Sequence, residues 1–381
     1  MTAAGVRNVR SRRELNSRFI EVVLGGLISL LLLAAALAAV KVAPPNQTTA
    51  TAIPASRNSS LALLAPIALG DRLPAPPTTV APPAPEATTT TAAPAVRARP
   101  PSPPAAAGLT PASAAGLVPY AGLGTWADVY DWTHSYTREA EPEVGPETME
   151  TMAAAGVQTL YIQASKHDSP TDVVEEERLL AIIGQARARG LRVVAWYLPT
   201  LVDPAADLRR LMAIAALPFD GLAVDIEARN VSDVAERNRR LVDLSARLRA
   251  ALPGRALGGI VLPPVVMEEV NRNYWPDFPW REIAPYYDVW QTMGYWTNRK
   301  SSSGWRDAYA YTMENVLRLR RNLGLPEATV HPIGGIGDAT SADDVADFHR
   351  AAVDSASVGG SLYDWRTTGA GLWPGLRALR V

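Results

Sequence analysis

Apolar and polar positions follow different patterns in the two parts of the chain. After about residue 119, short apolar runs typical of buried strands alternate with longer segments whose apolar residues recur at helical spacing. The predicted strands are Leu123–Trp132, Gln158–Ser165, Arg192–Leu198, Gly221–Glu227, Ala256–Leu262, Asp288–Tyr295, Val330–Gly335 and Gly360–Trp365. Eightfold alternation of strand and helix predicts an α/β fold, a (β/α)8 TIM barrel over residues 119–381. A doubly wound open sheet is the rival, but the glycine-rich phosphate turn that usually follows its first strand is absent.

Local signals mark the ends of the predicted helices. Ser341 followed by Asp344 has the spacing of a capping box, and Gly190 stands where a helix would end. The pattern leaves open whether the segment around Pro119 or the C-terminal segment Leu372–Leu379 closes the bottom of the barrel.

A longer apolar run lies near the N-terminus. Residues 22–40 carry no charged side chain, and a run of this length is about what one helix needs to cross a bilayer. A transmembrane signal-anchor helix is therefore predicted over residues 22–42. Arginines cluster in residues 1–21, and only Lys41 follows the run directly. The positive-inside rule therefore predicts a cytoplasmic basic tail, a single-pass protein of the cell membrane and an extracytoplasmic C-terminal domain. A cleaved signal peptide is the alternative.

Residues 43–118 are dominated by proline, alanine and threonine. Such a composition buries too little apolar surface to offset the entropy of ordering, and its prolines favour extended segments. We therefore predict a disordered linker that holds the barrel away from the membrane.

Composition excludes several classes of function. The formal net charge of -1 argues against nucleic acid as a partner, and the lack of cysteine excludes a thiolate metal site and a thiol nucleophile. The four histidines, His134, His167, His331 and His349, lack paired metal-ligand spacing. Three of them follow different strands, so a metal site of barrel-hydrolase type stays an alternative, but no metal and no cofactor is predicted.

The ends of the predicted strands are rich in aromatic and acidic residues. In a barrel of this kind the chemistry comes from the C-terminal strand ends and the loops after them. The predicted substrate-binding residues are Asp128, Trp132, Gln163, Trp196, Gln291, Met293, Trp296, Tyr363 and Trp365. Aromatic faces stack on sugar rings while carboxylates and amides bind hydroxyls, so a polysaccharide or peptidoglycan-like glycan is the predicted partner. Packing of these aromatics in the barrel core is the alternative.

Two acids close the fourth predicted strand, in the segment Phe219-Asp220-Gly221-Leu222-Ala223-Val224-Asp225-Ile226-Glu227. Strand alternation puts Asp225 and Glu227 on the same face. Crowding and partial burial would raise the pKa of one of them, as a general acid working near neutral pH requires. The alternative is a pair of solvated acids in surface salt bridges.

This segment resembles the signature of the chitinase-like glycoside hydrolases of family eighteen, in which Asp-Gly-x-Asp-x-Asp-x-Glu closes the fourth barrel strand. Met293-Gly294-Tyr295 is similar to the family's Met-x-Tyr on the sixth strand, and Gly359-Gly360 leading to Trp365 is similar to its last strand. The resemblance covers the barrel only. The first strand is also similar to that of barrel lysozymes that act on peptidoglycan.

The resemblance implies a role for three residues. Glu227 would be the general acid, Asp225 would support the substrate's own 2-acetamido oxygen as nucleophile, and Tyr295 would help to hold that acetamido group. In such substrate-assisted hydrolysis no enzyme carboxylate attacks the sugar.

Two positions depart from the family pattern. Ala223 stands where the signature has its middle Asp, and Trp296 stands where an acid or amide commonly follows the sixth-strand tyrosine. Loss of the middle Asp removes a charge that tunes Asp225. A catalytically inactive glycan-binding or cell-wall scaffold protein is therefore the alternative function.

Arginines also cluster on two predicted helices. They are Arg237, Arg239, Arg240, Arg247 and Arg249 on one, and Arg318, Arg320 and Arg321 on the other. They could bind an anionic polymer, but we expect solvated outer faces of the barrel, balanced by acids such as Glu236 and Asp243.

Together these patterns predict a membrane-anchored extracytoplasmic glycoside hydrolase-like protein, a glycosidase that cleaves or recognises a cell-surface glycan with N-acetylated sugars. Glu227 is its predicted general acid, and the lipid bilayer is its second predicted partner, through residues 22–42.

Overall fold

The computed structural model describes residues 112–137 and 141–381. The strands are β1 (Gly122–Ala127), β2 (Thr159–Gln163), β3 (Arg192–Tyr197), β4 (Gly221–Ile226), β5 (Leu257–Val261), β6 (Val289–Thr292), β7 (Thr329–Val330), β8 (Ile333–Ile336) and β9 (Gly359–Tyr363). The α-helices are α1 (Ala114–Leu117), α2 (Val129–Trp132), α3 (His134–Thr137), α4 (Thr148–Ala155), α5 (Glu176–Ala188), α6 (Pro204–Ala215), α7 (Val234–Ala251), α8 (Trp280–Ile283), α9 (Ala308–Leu323), α10 (Ala342–Asp354) and α11 (Trp373–Leu376).

The predicted basic tail, signal-anchor helix and nearly all of the predicted linker lie outside the described residues. Among the helices of the described ranges, none has both the length and the apolar character needed to cross a membrane.

The described strands form one parallel sheet in the order β7-β6-β5-β4-β3-β2-β1-β9-β8. β7 and β8 are one stretch of chain interrupted at His331 and Pro332; β7 pairs with β6, whereas β8 pairs with β9. Met293 after β6 also bridges Ile333 of β8. The two ends of the sheet therefore meet in this stretch, and the strands close into a barrel with the long helices packed outside, as predicted.

The first predicted strand, Leu123–Trp132, is wrong in its second half. β1 ends at Ala127 because Asp128 caps α2: its Oδ1 accepts from Tyr130 N at 2.7 Å, and Asp131 Oδ2 accepts from Asp128 N at 2.8 Å. This reciprocal cap satisfies two free backbone donors at the helix start. The capping box predicted at Ser341 and Asp344 is confirmed at the start of α10.

Tyr120, directly after Pro119, closes the bottom of the barrel from inside. Its hydroxyl donates to Leu222 O at 2.8 Å and accepts from Leu222 N at 3.0 Å, and its side chain is fully buried. Gly221 and Gly258 leave it room, because a Cβ on Gly221 would lie 2.8 Å from Tyr120 Oη and a Cβ on Gly258 would lie 3.0 Å from its ring. The segment around Pro119 thus fills the interior, while the C-terminal segment covers the same end beside β1 and β9, where Gln158 Nε2 donates to Val381 O at 3.0 Å.

The expectation that the arginines are solvated holds for some and is wrong for others. Arg239 and Arg240 pair with Glu236, and Arg247 pairs with Asp243, on the exposed side of α7. On the same helix, Arg237 is only 3% exposed and Arg249 only 2% exposed. Arg237 precedes the buried Leu241 by one helical turn, so it lies on the face that packs against the barrel.

We expect Tyr120→Phe to lower the free energy of unfolding by about 1–3 kcal/mol, because it leaves buried backbone groups of β4 without their partner. Urea unfolding of the full-length protein measures this, with Tyr309→Phe on the outer helix α9 as the matched control. Equal midpoints for the two variants would contradict the role of the Tyr120 hydroxyl.

Candidate active site

Asp225 and Glu227 lie inside the mouth of the barrel, at the C-terminal end of β4. Their side chains are 5% and 1% exposed. The face that they share continues downwards through Ala223 and Gly221 towards Tyr120, which fixes it as the inner face of the barrel. Both acids thus lie on one face at a strand end, as the sequence predicted.

Both carboxyl groups are buried without a hydrogen-bond partner. Asp225 Oδ1 and Glu227 Oε2 accept no hydrogen bond from the part of the chain that the structure describes. Burial raises the pKa of Glu227 from 4.5 to about 8. Burial and, after it, the charge of Glu227 raise the pKa of Asp225 well above its usual value. Glu227 is therefore protonated at neutral pH and able to donate a proton.

Tyr295 lies near this pair, and Tyr363 lies beside Tyr295. Tyr295 follows β6, and its ring lies 5.7 Å from that of Tyr363 in an edge-to-face arrangement. Burial first, and then the charges of Glu227 and Asp225, raise the pKa of Tyr295, so its hydroxyl stays a donor. Tyr363 Oη donates to Asp128 Oδ2 at 3.0 Å. The structure thus brings the predicted Asp225, Glu227, Tyr295, Tyr363 and Asp128 together at the mouth.

An aromatic cluster forms the floor beside them, and its centre is Trp126, which the sequence analysis missed. The Trp126 ring stacks on Tyr161 at 4.4 Å and meets Trp196 edge-on at 6.2 Å. Its Nε1 donates to Ser361 Oγ at 2.8 Å. The sequence did contain a signal for Trp126: it precedes Asp128 by two residues, and alternation along a strand puts both on the inner face.

Three further acids meet where β1 and β9 end. The carboxylate oxygens of Asp128, Asp131 and Asp364 lie within 4.8 Å of one another, which makes them the group in the described ranges that could hold a cation. Burial raises the pKa of Asp128 to about 6. Arg366 donates to Asp131 Oδ1 at 3.1 Å, and Thr367 N donates to Asp364 Oδ1 at 2.9 Å. Because protein donors already hold these carboxylates, the geometry indicates a structural role.

His331 directly follows β7, and its side chain is fully buried inside the barrel. One ring nitrogen, Nδ1, lies 2.8 Å from Tyr120 O, and the other, Nε2, lies 3.1 Å from Ser361 Oγ. Burial lowers its pKa to about 4, so the ring is neutral and both nitrogens have a partner in the core. This position does not fit the metal site that the sequence left open.

Two of the predicted tryptophans pack in the core instead of lining the mouth. Trp132 is fully buried, and its Nε1 donates to Gln163 O at 3.0 Å. The amide of Gln163 ties the same region together, since its Oε1 accepts from Val129 N at 3.2 Å. Trp296 is fully buried against Phe348 of α10, at a ring distance of 5.3 Å. Helical turns after β1 and β6 rotate these side chains away from the mouth.

Trp365 packs beside Trp373 of α11, at a ring distance of 5.1 Å, and stays partly exposed. Tyr363 occupies the mouth in its place, next to Trp126 and Tyr295. Met293 is 3% exposed at the end of β6, where its backbone bridges β8.

Gln291 and Ala223 lie in the layer below the two acids. A Cβ on Gly258 would lie 2.7 Å from Gln291 Oε1 and 2.9 Å from Ala223 Cβ, so the three positions surround one point. Gln291 is fully buried, and neither its Oε1 nor its Nε2 has a partner in the described ranges. Alanine at position 223 therefore leaves a buried amide unpaired below the acids.

Comparison with known proteins defines the fold. No family model matches the sequence, and no curated protein matches it. A family eighteen chitinase from Cycas revoluta, solved as a mutant with (GlcNAc)4, matches with a TM-score of 0.50 and 13% identity, over 68% of this chain and 99% of that chain. The same chitinase in complex with allosamidin matches with a TM-score of 0.50 and 13% identity over the same shares. The chain therefore has the TIM-barrel fold of the family eighteen chitinases.

We expect Glu227→Gln to stabilise the protein more at high pH than at low pH. The folded state of the parent keeps a proton on Glu227 up to a pKa of about 8, whereas the unfolded chain releases it near 4.5, so the parent loses stability as pH rises through that window. Glutamine binds no proton and removes this loss. Urea unfolding at about pH 5 and about pH 8 measures the difference.

The matched control is Glu150→Gln, whose side chain is 78% exposed on α4. A stability difference between Glu227→Gln and the parent that does not grow with pH would contradict the protonated state of Glu227.

Proposed function

We propose that this chain is a membrane-anchored extracytoplasmic glycosidase that acts on a glycan with N-acetylated sugars. The observation that carries the proposal is the buried, unpartnered pair of Asp225 and Glu227 at the C-terminal end of β4, with the Tyr295 hydroxyl beside them. The shared fold with chitinases that bind N-acetylglucosamine oligomers supports it.

In the proposed reaction Glu227 donates its proton to the glycosidic oxygen while the acetamido oxygen of the substrate attacks the anomeric carbon. The aglycone leaves with that proton, and a cyclic oxazolinium ion remains. Asp225 stabilises the positive acetamido nitrogen, and Tyr295 donates a hydrogen bond to the acetamido group. Glu227, now a carboxylate, takes a proton from the water that opens the ring, which restores the acid.

The aromatic floor would hold the sugar that is cleaved. The Trp126 and Tyr363 rings lie 6.5 Å apart next to Tyr295, and Trp196 has an indole N–H without a partner in the described ranges. A pyranose held there would have a hydroxyl within reach of that N–H. Trp132 and Trp296 pack in the core and Trp365 packs beside Trp373, so these three tryptophans are not part of this proposal.

The second candidate is a catalytically inactive glycan-binding scaffold, and Ala223 is the observation that favours it. Without a carboxylate at this position, the amide of Gln291 has no partner below the acids, and no further charge tunes Asp225. Such a protein would bind the glycan on the same aromatic floor without cleaving it.

We expect Glu227→Gln to lower glycan cleavage by about 10²–10⁴-fold while binding is retained, because only proton transfer is lost. Cleavage by the parent should fall as pH rises above about 8, where Glu227 loses its proton. New reducing ends from chitin oligosaccharides and peptidoglycan, followed by mass spectrometry with the full-length protein, measure both. Glu150→Gln is the control. Binding by the parent without any product would favour the scaffold, and equal cleavage by Glu227→Gln would exclude the mechanism.

We propose that residues 22–42 anchor the protein in the cell membrane, with the barrel on the outer side. The absence of charge over residues 22–40 and the arginines before them support this. We expect the full-length protein to sediment with membranes and to be degraded by protease added to intact cells. A variant with arginines at two positions within the run should leave the membrane fraction. Equal fractionation of the two proteins would contradict the anchor.

A further inference from the structure

Two arginines and two aromatic residues form a cluster beside the catalytic pair. Arg229 follows β4 two residues after Glu227, and its guanidinium carbon lies 4.7 Å from the centre of the Tyr274 ring. Arg237 of α7 lies with its guanidinium carbon 4.2 Å from the ring of Trp275, the next residue in the chain. We call Arg229, Arg237, Tyr274 and Trp275 the arginine cluster.

The cluster carries positive charge without a counter-charge. Arg237 is only 3% exposed, yet in the described ranges its Nε has no hydrogen-bond partner. Neither Arg237 nor Arg229 has a salt bridge there, whereas Arg239 and Arg240, on the same helix as Arg237, both pair with Glu236. A buried guanidinium without an anion is costly, so the unpaired Arg237 is an observation that points to a ligand with negative charge.

Tyr274 adds a hydrogen-bond donor that also lacks an acceptor. Its side chain is 3% exposed, and its hydroxyl has no partner among residues 112–137 and 141–381. Burial and the charge of Glu227 raise the pKa of Tyr274, while Arg229 and Arg237 lower it. This tyrosine is therefore within electrostatic reach of the catalytic acids and of both arginines. A ligand group that contacts the cluster would belong to a sugar next to the bond that is cleaved.

The cluster is held in place from behind. Trp275 Nε1 donates to Asn238 Oδ1 at 2.7 Å, and Asn238 Nδ2 donates to Asp277 O at 2.6 Å. These bonds join α7 to the loop after β5, so Arg237 and Trp275 cannot separate without breaking them. Arg229 is the exposed member, free to meet a ligand from solvent.

We propose that the arginine cluster is an anion-binding subsite, and that the preferred glycan carries a carboxylate or phosphate on a sugar adjacent to the cleaved bond. Arginine side chains form charge-assisted hydrogen bonds with both kinds of anion. This inference rests on the proposed function and narrows its substrate class from neutral chitin-like polymers to acidic glycans.

The test compares three hexasaccharides by calorimetry, with full-length Glu227→Gln so that nothing is cleaved. They are a neutral N-acetylglucosamine oligomer, a peptide-free glycan strand with lactyl carboxylates, and an N-acetylglucosamine oligomer with 6-phosphate esters. We expect at least one anionic glycan to bind about tenfold more tightly than the neutral one, and salt to weaken only that advantage. The anionic glycan that binds more tightly shows whether the cluster prefers a carboxylate or a phosphate.

Two variants in the same background locate the preference. Arg229→Gln should abolish it and leave binding of the neutral glycan unchanged, and Tyr274→Phe should reduce it while keeping the ring. Arg239→Gln, an arginine of α7 outside the cluster, is the matched control and should keep the preference.

Equal affinity for all three glycans, or a preference that survives Arg229→Gln, would overturn the anion subsite while leaving the glycosidase proposal intact. Failure of all three glycans to bind, together with no cleavage by the parent, would end both proposals.

Discussion

The candidate site depends on one constraint: the carboxyl groups of Asp225 and Glu227, at the end of β4, are buried away from water. On the inner face of a closed barrel an unpaired charge is costly, and Glu227 is 1% exposed. Without donors around it, the neutral form is the stable one, and burial alone raises the pKa of Glu227 to about 8. The stacked rings of Trp126 and Tyr161 are also buried in the barrel interior, so the surroundings of the two acids are largely apolar.

The barrel itself was predictable because its signals are local and repeated. Each strand is a run of apolar residues, and each long helix has its own spacing and boundary residues, so β4 with its acids could be read directly from the segment ending at Glu227. The first strand was predicted too long because Asp128 and Asp131 form a helix cap. In the sequence alone, such capping acids look the same as acids at the end of a strand.

Side-chain direction after a strand was the part that the sequence did not determine. Trp296 and Trp365 follow strand ends by a few residues, and turns there rotate them onto α10 and α11, where apolar surface remained to be buried. Tyr274 was missed for the opposite reason: its loop brings it near Glu227 from far along the chain, and no periodicity records such a contact. Arg237 looked like part of a solvated face because charge pattern does not show which side of a helix meets the barrel.

The segment with Tyr120 at the bottom of the barrel also shows at which end the described chain enters the domain. Ala112 N donates to Asp288 Oδ1 just before β6, and Tyr120 enters the barrel below β4, so the chain joins the barrel at the end where its strands begin. Glu227 lies at the opposite end, where the strands finish. The described chain therefore begins at one end of the barrel and carries its buried acids at the other, so the N-terminal segment that fills the bottom does not narrow the opening at which a long polymer would meet Glu227.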